Sequence, residues 1–434
     1  MAIGIGLLGL GTVGAGVAEI LLNPSGRHPL VAELELRQVA VRSLARTLPQ
    51  GFSQELLCTD AAAVVANPAV DLVVEVMGGI EPARSLILAA IEAGKPVVTA
   101  NKAVIARHGA EIAAAAAAKG VYVLMEAAVG GGIPILEPLK QSLGANRIER
   151  VSGIINGTTN YILSRMADEG ASYAAVLADA QALGYAEADP AADVEGGDAA
   201  DKIAIIVGLA YGGLVDRSQI PTEGIANLQL RDINYARELG YVVKLLAVAE
   251  RVKTITDTSE VLDVRVHPTL VPKTHPLAGV NGVNNAILVE GDPVGQVMFY
   301  GPGAGAGPTA SAVVADILNI AAIQQVGGPA AKLDPLLAAT SWRSCCLVDS
   351  AITKHRNYVR FQAADLPGVI GHIGSCFGAA GVSLQSIVQF QSQGSGAEIV
   401  VITHEVQESN FRHALEMILL RSEVEAVVSC LRSL

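Results

Sequence analysis

A glycine-rich motif near the start of the chain most constrains its fold. Residues 3–8 form an apolar run that predicts a buried strand, residues 9–14 read GLGTVG, and residues 15–22 have helix-forming composition. In a strand–GxGxxG–helix unit, the glycines permit a tight turn, close approach of a pyrophosphate, and close helix–strand packing. The motif predicts a dinucleotide site, although an ordinary glycine-rich turn has the same composition. The residues expected at the phosphates are Gly9, Gly11, Thr12, Val13 and Gly14.

The residue after the second predicted strand bears on which dinucleotide is bound. Residues 34–41 fit a strand, and NAD-dependent enzymes often place Asp or Glu at its end to bind the ribose 2′-hydroxyl. This chain has Arg42 at that point. Because a guanidinium suits a 2′-phosphate, the sequence favours NADP over NAD. A solvated surface arginine is the alternative interpretation.

Strands and helices alternate up to about residue 132. Strands are predicted at 70–77, 96–99 and 121–126, and helices at 82–93 and 110–119. This pattern is typical of a Rossmann-type α/β domain, in which a mostly parallel sheet binds ligands beyond the carboxyl ends of its strands. Lys102 is the one cation at those ends, which makes it a candidate for the ligand site. The alternative is a surface lysine that opens a helix. The residues at strand ends are Gly78, Thr99, Asn101, Lys102 and Glu126.

Composition argues against several classes of protein. The formal net charge is −12 without any Lys/Arg block, and aromatic residues make up 4%, which disfavours a nucleic-acid partner. The longest apolar stretch, residues 203–215, is shorter than the ~20 residues that span a bilayer, and the N-terminus lacks the basic region of a signal peptide. The five cysteines form no CxxC pair. We therefore expect a cytoplasmic protein with reduced thiols and no membrane partner.

A second segment, residues 133–329, contains two groups of polar residues. Residues 153–161 read GIINGTTNY at a predicted strand-to-helix junction, where they either cap the helix or bind a carboxylate. Residues 179–202 gather seven acidic residues among glycines. Within this stretch, Asp198 and Lys202 stand at i and i+4, so they share one face of the helix that begins there.

The helix that carries Asp198 and Lys202 continues as an almost wholly apolar run, so it should be deeply buried. A lysine in the first turn of a buried helix, beside an aspartate, suits a proton donor or acceptor near a reacting oxygen. A structural ion pair at the helix start is the alternative. Glu187 and Asp193 could anchor an ammonium group. The residues alone thus indicate a nicotinamide oxidoreductase acting on a small amino-group-bearing alcohol or carbonyl compound.

Taken together, these motifs resemble those of the homoserine dehydrogenase family. A signature of fixed positions runs from Ala180 to Lys202, and the resemblance extends from the first strand to about residue 322. The other matching motifs, in chain order, are GLGTVG at 9–14, TANK at 99–102, EAAVGGGIP at 126–134, NGTTNYIL at 156–163 and GPGAGAGPTASAVVADI at 301–317.

The resemblance implies NAD(P)-dependent interconversion of L-homoserine and L-aspartate 4-semialdehyde in threonine, methionine and isoleucine biosynthesis. It implies Lys202 as the acid/base group, held by Asp198, with Lys102 as a second lysine near nicotinamide and substrate. Substrate would contact Glu187, Asp193, Gly157 and Thr158, and cofactor would contact Thr12, Val13, Arg42, Thr99 and Gly305. A monovalent cation such as sodium would bind backbone carbonyls of Glu126, Val129, Gly131 and Ile133.

The C-terminal segment, residues 355–434, follows a connector predicted at 330–354. Its predicted order is β-α-β-β-α-β, a ferredoxin-like fold, and DLPGVIGHIGSCFGAAGVSLQSI at 365–387 resembles the ACT domain, an amino-acid-binding regulator. Because threonine lies downstream of homoserine, we expect feedback inhibition by L-threonine. A dimerisation module without a ligand is the alternative.

The resemblance also sets expectations for the whole chain. We expect an α+β catalytic and dimerisation domain at 133–329, of which about 301–329 returns to the nucleotide domain, and a homodimer or homotetramer. Two other functions stay open on the residues alone. A dehydrogenase for another amino-acid semialdehyde would use the same aspartate–lysine pair, whereas a non-catalytic regulator would need no proton donor.

Overall fold

Six parallel strands form the N-terminal sheet, as the predicted alternation requires. The computed structural model describes residues 2–45, 47–252, 260–327, 343–391 and 396–434. The strands are β1 (Ile3–Leu8), β2 (Leu34–Ala40), β3 (Leu57–Cys58), β4 (Leu72–Glu75), β5 (Val97–Thr99) and β6 (Val123–Leu124). Their order is β3-β2-β1-β4-β5-β6, so the strand order reverses between β1 and β4. That switch point is where Rossmann-type sheets bind ligands at their carboxyl edge.

Helices cover both faces of this sheet, because alternate strand residues point to opposite sides. Val73 packs with Ile87 and Ile112 on one face, while Leu72 and Val74 pack with Val17 on the other. The helices of this segment are α1 (Thr12–Leu22), α2 (Ala61–Ala66), α3 (Ala83–Glu92) and α4 (Lys102–Lys119).

Several boundaries in this segment differ from the sequence prediction, and two of the differences concern candidate site residues. The helix α4, predicted from residue 110, begins at Lys102 because the Asn101 side chain caps it by accepting from the Val104 N–H at 3.3 Å. The strand predicted over 121–126 is shorter, and Glu126 lies in a 3₁₀ turn. The short elements β3 and α2 have too few residues to show periodicity, and the sequence analysis missed them.

The middle of the chain builds a second, mixed sheet flanked by helices. Its antiparallel part has the order β12-β11-β7-β9-β10. The helix α9 is buried almost all round, as its apolar sequence predicts. The elements are α5 (Leu136–Lys140), β7 (Arg147–Ile154), α6 (Gly157–Glu169), α7 (Tyr173–Ala182), α8 (Ala191–Val194), α9 (Gly197–Tyr211), β8 (Gly213–Leu214), α10 (Leu230–Glu238), β9 (Tyr241–Arg251), β10 (Glu260–Pro272), β11 (Asn284–Asp292) and β12 (Gly295–Pro302).

The helix α11 (Ala306–Gly327) leaves this sheet and packs on the N-terminal one. It lies against α1 so closely that a Cβ on Gly16 would be 2.7 Å from the carbonyl oxygen of Ala306. By length and composition, residues 306–325 could cross a membrane. In this fold, however, Val313 and Ile317 are fully buried against the N-terminal sheet, as in the core helix of a globular protein.

The C-terminal segment has the predicted β-α-β-β-α-β order, with one additional two-residue strand. Residues 330–342 of the predicted connector lie outside the described residues, and its remainder contains a strand that pairs with β10 and β8. The elements are β13 (Arg343–Leu347), β14 (Lys354–Ala364), α12 (Val369–Ala379), β15 (Leu384–Gln391), β16 (Gly396–Thr403), β17 (Val406–Gln407), α13 (Glu408–Leu419) and β18 (Val424–Ser433).

This C-terminal module has its own core but shares a sheet with the middle of the chain. Phe361, Phe377 and Phe411 are fully buried within the module. The last strand, β18, pairs in parallel with β10 at Thr269–Arg432. The α/β fold class with a ferredoxin-like C-terminal module is therefore confirmed, and the module is joined to the preceding sheet by backbone hydrogen bonds.

Candidate active site

The loop after β1 leaves open space at Gly11, whereas its backbone excludes side chains at Gly9 and Gly14. A Cβ on Gly14 would lie 2.1 Å from the carbonyl oxygen of Gly9, and Gly9 itself has a φ of +103°. Around the Cβ position of Gly11, by contrast, no described atom lies within 4 Å. Gly11 and Thr12 are exposed and α1 has no side-chain cap, so the first N–H groups of this helix face open space.

A buried carboxylate organises the neighbouring strand ends, and sequence analysis missed it. Glu75, the last residue of β4, is fully buried and accepts hydrogen bonds from the Thr99 hydroxyl at 2.7 Å and the Met77 N–H at 2.8 Å. The Asn101 amide donates to the Gly79 carbonyl at 2.7 Å. The signal available in the sequence was a glutamate near the end of the run VDLVVEVM, after three consecutive apolar residues. These bonds fix the loop after β4 beside the loop that leads to Lys102.

Two lysines from different parts of the chain converge on one carboxylate. Asp198, in the first turn of α9, forms an ion pair with Lys102, the first residue of α4, and its Oδ2 lies 2.7 Å from the Lys202 Nζ. Lys202 also donates to the Ile155 carbonyl at 2.7 Å. Asp198 and Lys202 are buried, whereas 41% of the Lys102 side chain is exposed. The structure therefore brings together the three residues predicted as the catalytic group.

Burial and charge act in opposite directions on these three groups. Burial alone would raise the pKa of Asp198, but the two ammonium groups hold it well below its usual range. Burial would lower the pKa of Lys102, but Asp198 outweighs it and the pKa lies above the usual value. For Lys202, burial dominates and lowers the pKa. The cluster thus combines one firmly protonated lysine with one that releases its proton more readily.

Asn156 connects this cluster to a second carboxylate and was not among the predicted site residues. Its amide Nδ2 donates to Asp193 at 2.7 Å and to Asp198 at 3.0 Å, while its Oδ1 caps α6 by accepting from the Thr159 N–H at 2.8 Å. The capping role was one of the two readings of the NGTTN segment. The bridge to both aspartates depends on tertiary contacts, which the sequence pattern does not show.

The other predicted substrate residues lie around the start of α6. Gly157 and Thr158 are its first two residues, and the Thr158 hydroxyl donates to the Tyr185 carbonyl at 2.6 Å. Glu187 is exposed on the loop after α7, and its described hydrogen bond involves only its backbone carbonyl, which accepts from Gln181 at 3.0 Å. The described contacts therefore link Asp193 to the lysine cluster through Asn156 but do not link Glu187 to it.

The turn predicted to bind a cation uses its one acidic side chain for another purpose. Glu126 is buried, and its carboxylate accepts N–H groups of Ile135, Leu136 and Glu137 at 2.5–2.9 Å, which caps α5. Val129 and Ile133 are buried, and Gly131, with a φ of +57°, packs on the Gly303 carbonyl. Among the described residues, no group of three or more His, Cys, Asp and Glu side chains could hold a metal ion. Any cation in this turn would therefore depend on backbone oxygens.

The remaining predicted cofactor residues lie at exposed loop positions. Arg42 follows β2 and is exposed, so its described surroundings fit both a 2′-phosphate ligand and a surface arginine. Gly78 and Gly305 are exposed and have positive φ values of +77° and +121°. Gly305 directly precedes α11, which packs on α1, so this loop belongs to the same side of the molecule as the Gly9–Gly14 turn.

Comparisons with known proteins agree along the whole chain. The family model for homoserine dehydrogenase matches residues 134–318, the model for the homoserine dehydrogenase NAD-binding domain matches residues 9–126, and the ACT domain model matches residues 357–417. A homoserine dehydrogenase of Synechocystis is 56% identical over 436 residues, with 100% of both chains covered. One of Corynebacterium glutamicum is 42% identical, with 99% of this chain and 95% of the relative covered.

Solved structures give the same result. A homoserine dehydrogenase from Thiobacillus denitrificans is 41% identical and superposes with a TM-score of 0.91, covering 100% of this chain and 98% of the other. A hyperthermophilic archaeal homoserine dehydrogenase in complex with NADPH is 27% identical with a TM-score of 0.61, covering 74% of this chain and 98% of the other.

Proposed function

The chain belongs to the homoserine dehydrogenase family and is a nicotinamide-dependent oxidoreductase, and on that premise we propose that it interconverts L-homoserine and L-aspartate 4-semialdehyde with NADPH as the preferred cofactor. One observation carries the proposal. Asp198 holds two lysines at the meeting point of α4 and α9, next to the glycine loops of the nucleotide-binding sheet.

The residues present fit a nicotinamide dinucleotide. The open space above Gly11 and the free N–H groups of Thr12 and Val13 suit its pyrophosphate, and Gly9, Gly14, Gly78, Thr99 and Gly305 would shape the rest of its site. When bound, the reduced cofactor supplies the hydride that converts an aldehyde into an alcohol. Arg42 supports a preference for the 2′-phosphorylated form.

Lys202 supplies the proton that this reaction requires. As an aldehyde is reduced, negative charge develops on its oxygen, and an ammonium group at that point stabilises the charge and then donates a proton. Asp198 and the Ile155 carbonyl fix the Nζ of Lys202. Lys102, with its raised pKa, keeps a second positive charge beside the same oxygen.

Substrate recognition in this proposal uses the start of α6 and the acidic loop. The amino group of homoserine would bind Glu187 and Asp193, and its carboxylate would bind Gly157 and Thr158 at the helix N-terminus. The exposed side chain of Glu187 supports this role, since it is accessible to a substrate amino group. Fixing both ends of the substrate orients its reacting carbon and lowers the entropic part of the barrier.

The proposal also covers a bound cation, an amino-acid effector, the oligomeric state and the cellular location. A monovalent cation such as sodium would use carbonyl oxygens of the 126–133 turn, since the Glu126 carboxylate is occupied. The ACT domain supports an amino-acid effector, for which we propose L-threonine acting by feedback inhibition in the biosynthesis of threonine, methionine and isoleucine. We also propose a cytoplasmic homodimer or homotetramer.

One assay tests the proposal. Oxidation of NADPH is followed at fixed enzyme concentration with L-aspartate 4-semialdehyde, with NADH in place of NADPH, and with added L-threonine. We expect turnover with the semialdehyde, a higher kcat/KM with NADPH than with NADH, and inhibition by threonine. Turnover of another amino-acid semialdehyde but not of this one would contradict the substrate, and full activity in the presence of threonine would contradict the effector.

A further inference from the structure

Asp201, the residue before Lys202, makes contacts that the proposed reaction does not use. It is 7% exposed, although its neighbours in the acidic stretch are mostly solvated. Its Oδ1 accepts from the Arg217 Nε at 2.7 Å, and its Oδ2 accepts from an Arg107 guanidinium nitrogen at 3.0 Å. Arg217 also donates to the Gly197 carbonyl at the start of α9 at 3.1 Å. One buried carboxylate thus holds two guanidinium groups.

The two arginines come from different parts of the molecule. Arg107 belongs to α4, five residues after Lys102, and Arg217 follows α9. Asp201 itself lies three residues after Asp198 on α9. The Arg107–Asp201 contact therefore ties α4 to α9 about one turn beyond the Lys102–Asp198 contact, and it is the second charged link between the helix of the nucleotide-binding sheet and the helix of the middle segment.

Beyond this link, α4 and α9 pack on each other within one apolar core, and an apolar pocket runs along part of their interface. The pocket is lined from α4 by Ile105, Gly109 and Ile112 and from α9 by Ala204, Ile205 and Gly208. Side chains that interdigitate fix the spacing of two helices, and a pocket removes some of those contacts. The two charged links therefore add to apolar packing in setting the relative position of the α4 and α9 N-termini.

We infer that Asp201 is a positioning residue that fixes the separation of Lys102 and Lys202 by clamping Arg107 and Arg217. The inference rests on the proposed roles of the two lysines. A displacement of about 1 Å between reacting groups lowers turnover by up to about 100-fold. Loosening the clamp should therefore act on the chemical step more than on cofactor binding, since the glycine loops that would bind the dinucleotide lie outside it.

The clamp also belongs to the electrostatic surroundings of Lys102. Asp198, Asp193 and Asp201 favour the protonated form of Lys102, and the like charge of Lys202 opposes it. Arg107 carries a further positive charge on the same helix, paired with Asp201. Removing the charge of Asp201 lowers the pKa of Lys102, because one attraction is lost and Arg107 is no longer neutralised. Removing the charge of Arg107 has the opposite effect and raises the pKa of Lys102, because a repulsion is lost.

The test compares Asp201→Asn with Arg107→Gln, measuring kcat, KM, NADPH affinity and the pH profile in the reducing direction. We expect both variants to lower kcat about 10-fold to 100-fold with NADPH affinity nearly unchanged. The alkaline loss of activity that belongs to Lys102, which lies at higher pH than that of Lys202, should move to lower pH in Asp201→Asn and not in Arg107→Gln. Asp201→Glu, which keeps the charge, should recover part of kcat.

Controls separate the possible outcomes. Lys119→Gln breaks an exposed ion pair with Glu92 at the far end of α4 and should leave kcat unchanged. Wild-type kcat and pH profile in Asp201→Asn, with only a lower Tm, would overturn the inference. The Arg107 side chain is 42% exposed, so Arg107→Gln should fold. It therefore still tests the inference if Asp201→Asn does not fold. Failure of the proposed function would instead appear as an inactive wild type.

Discussion

Two buried ionic clusters join separate parts of this molecule, and they differ in how fully their donors are used. At the candidate active site, the described contacts of Lys202 are with Asp198 and the Ile155 carbonyl, which use two of its three N–H donors. At the junction between α10 and the C-terminal module, Arg360 is 1% exposed and four of its donor contacts, at 2.7–3.1 Å, reach Asp232, Glu398 and Gln229.

The difference indicates what each cluster does. A sealed cluster that uses four of the five guanidinium N–H donors has little capacity left for a ligand, and removing the arginine leaves a buried charge without compensation. An unsaturated cluster with a half-exposed lysine retains donors that a substrate oxygen could take up. The junction cluster should therefore determine stability, and the active-site cluster should determine turnover.

Removing Lys202 is the strongest test of the claim that the active-site cluster determines turnover. We expect Lys202→Ala to lower turnover by on the order of 10²–10⁴ with little change in NADPH affinity, because the proton donor is lost and the dinucleotide loops are untouched. Steady-state kinetics and NADPH titration measure the two effects. Activity close to wild type in the folded variant would overturn the role of Lys202.

Removing Arg360 tests the claim that the junction cluster determines stability. We expect Arg360→Met to lower the free energy of unfolding by about 3–5 kcal/mol, since Asp232 would keep a buried charge without a cationic partner and Glu398 would keep only Arg231. Chemical denaturation measures this loss, and kcat should be nearly unchanged where the variant is folded. The matched control is Arg231→Met: its side chain is 44% exposed and pairs with the same Glu398, so we expect at most about 1 kcal/mol. Equal losses in both variants would contradict the distinction.

Replacing Asn156 separates capping from positioning. Asn156→Ser keeps an oxygen that can cap α6 but removes the amide that donates to Asp193 and Asp198. We expect kcat/KM to fall about 10-fold to 100-fold with nearly unchanged stability. Asn156→Ala should show the same kinetic loss and additionally lose about 1 kcal/mol of stability. Wild-type kinetics in Asn156→Ser would show that the bridge does not position the cluster.

The pH dependence of the reduction and oxidation rates is the smallest expected effect, and it is the one most specific to proton transfer by Lys202. Burial lowers the pKa of Lys202, so its protonated fraction declines at a lower pH than for a free lysine. Reduction of the aldehyde needs the protonated form and should slow as pH rises through that pKa, by up to tenfold per pH unit, whereas oxidation of homoserine should accelerate. Rate profiles of both directions on one enzyme preparation measure this. Profiles that fall together would contradict proton transfer by Lys202.

Local patterns allowed much of the fold to be predicted. The strand over residues 3–8 was predicted with its observed bounds, and the C-terminal strand and helix order was correct, because apolar periodicity and glycine turns act over short distances. The start of α4 was placed too late, since an Ala-rich run marks a helix interior better than its cap. The elements β3 and α2 are too short for any periodicity to show.

The sequence by itself determined the glycine turn at residues 9–14 and the shared helical face of Asp198 and Lys202, because both depend on backbone geometry within a few residues. Only the tertiary structure decided that Lys102 reaches Asp198, that Asn156 joins two aspartates, and that Arg360 is enclosed by Asp232 and Glu398. These contacts join elements far apart in the chain. Their distances are set by how sheets and helices pack, and no local pattern of residue types records that packing.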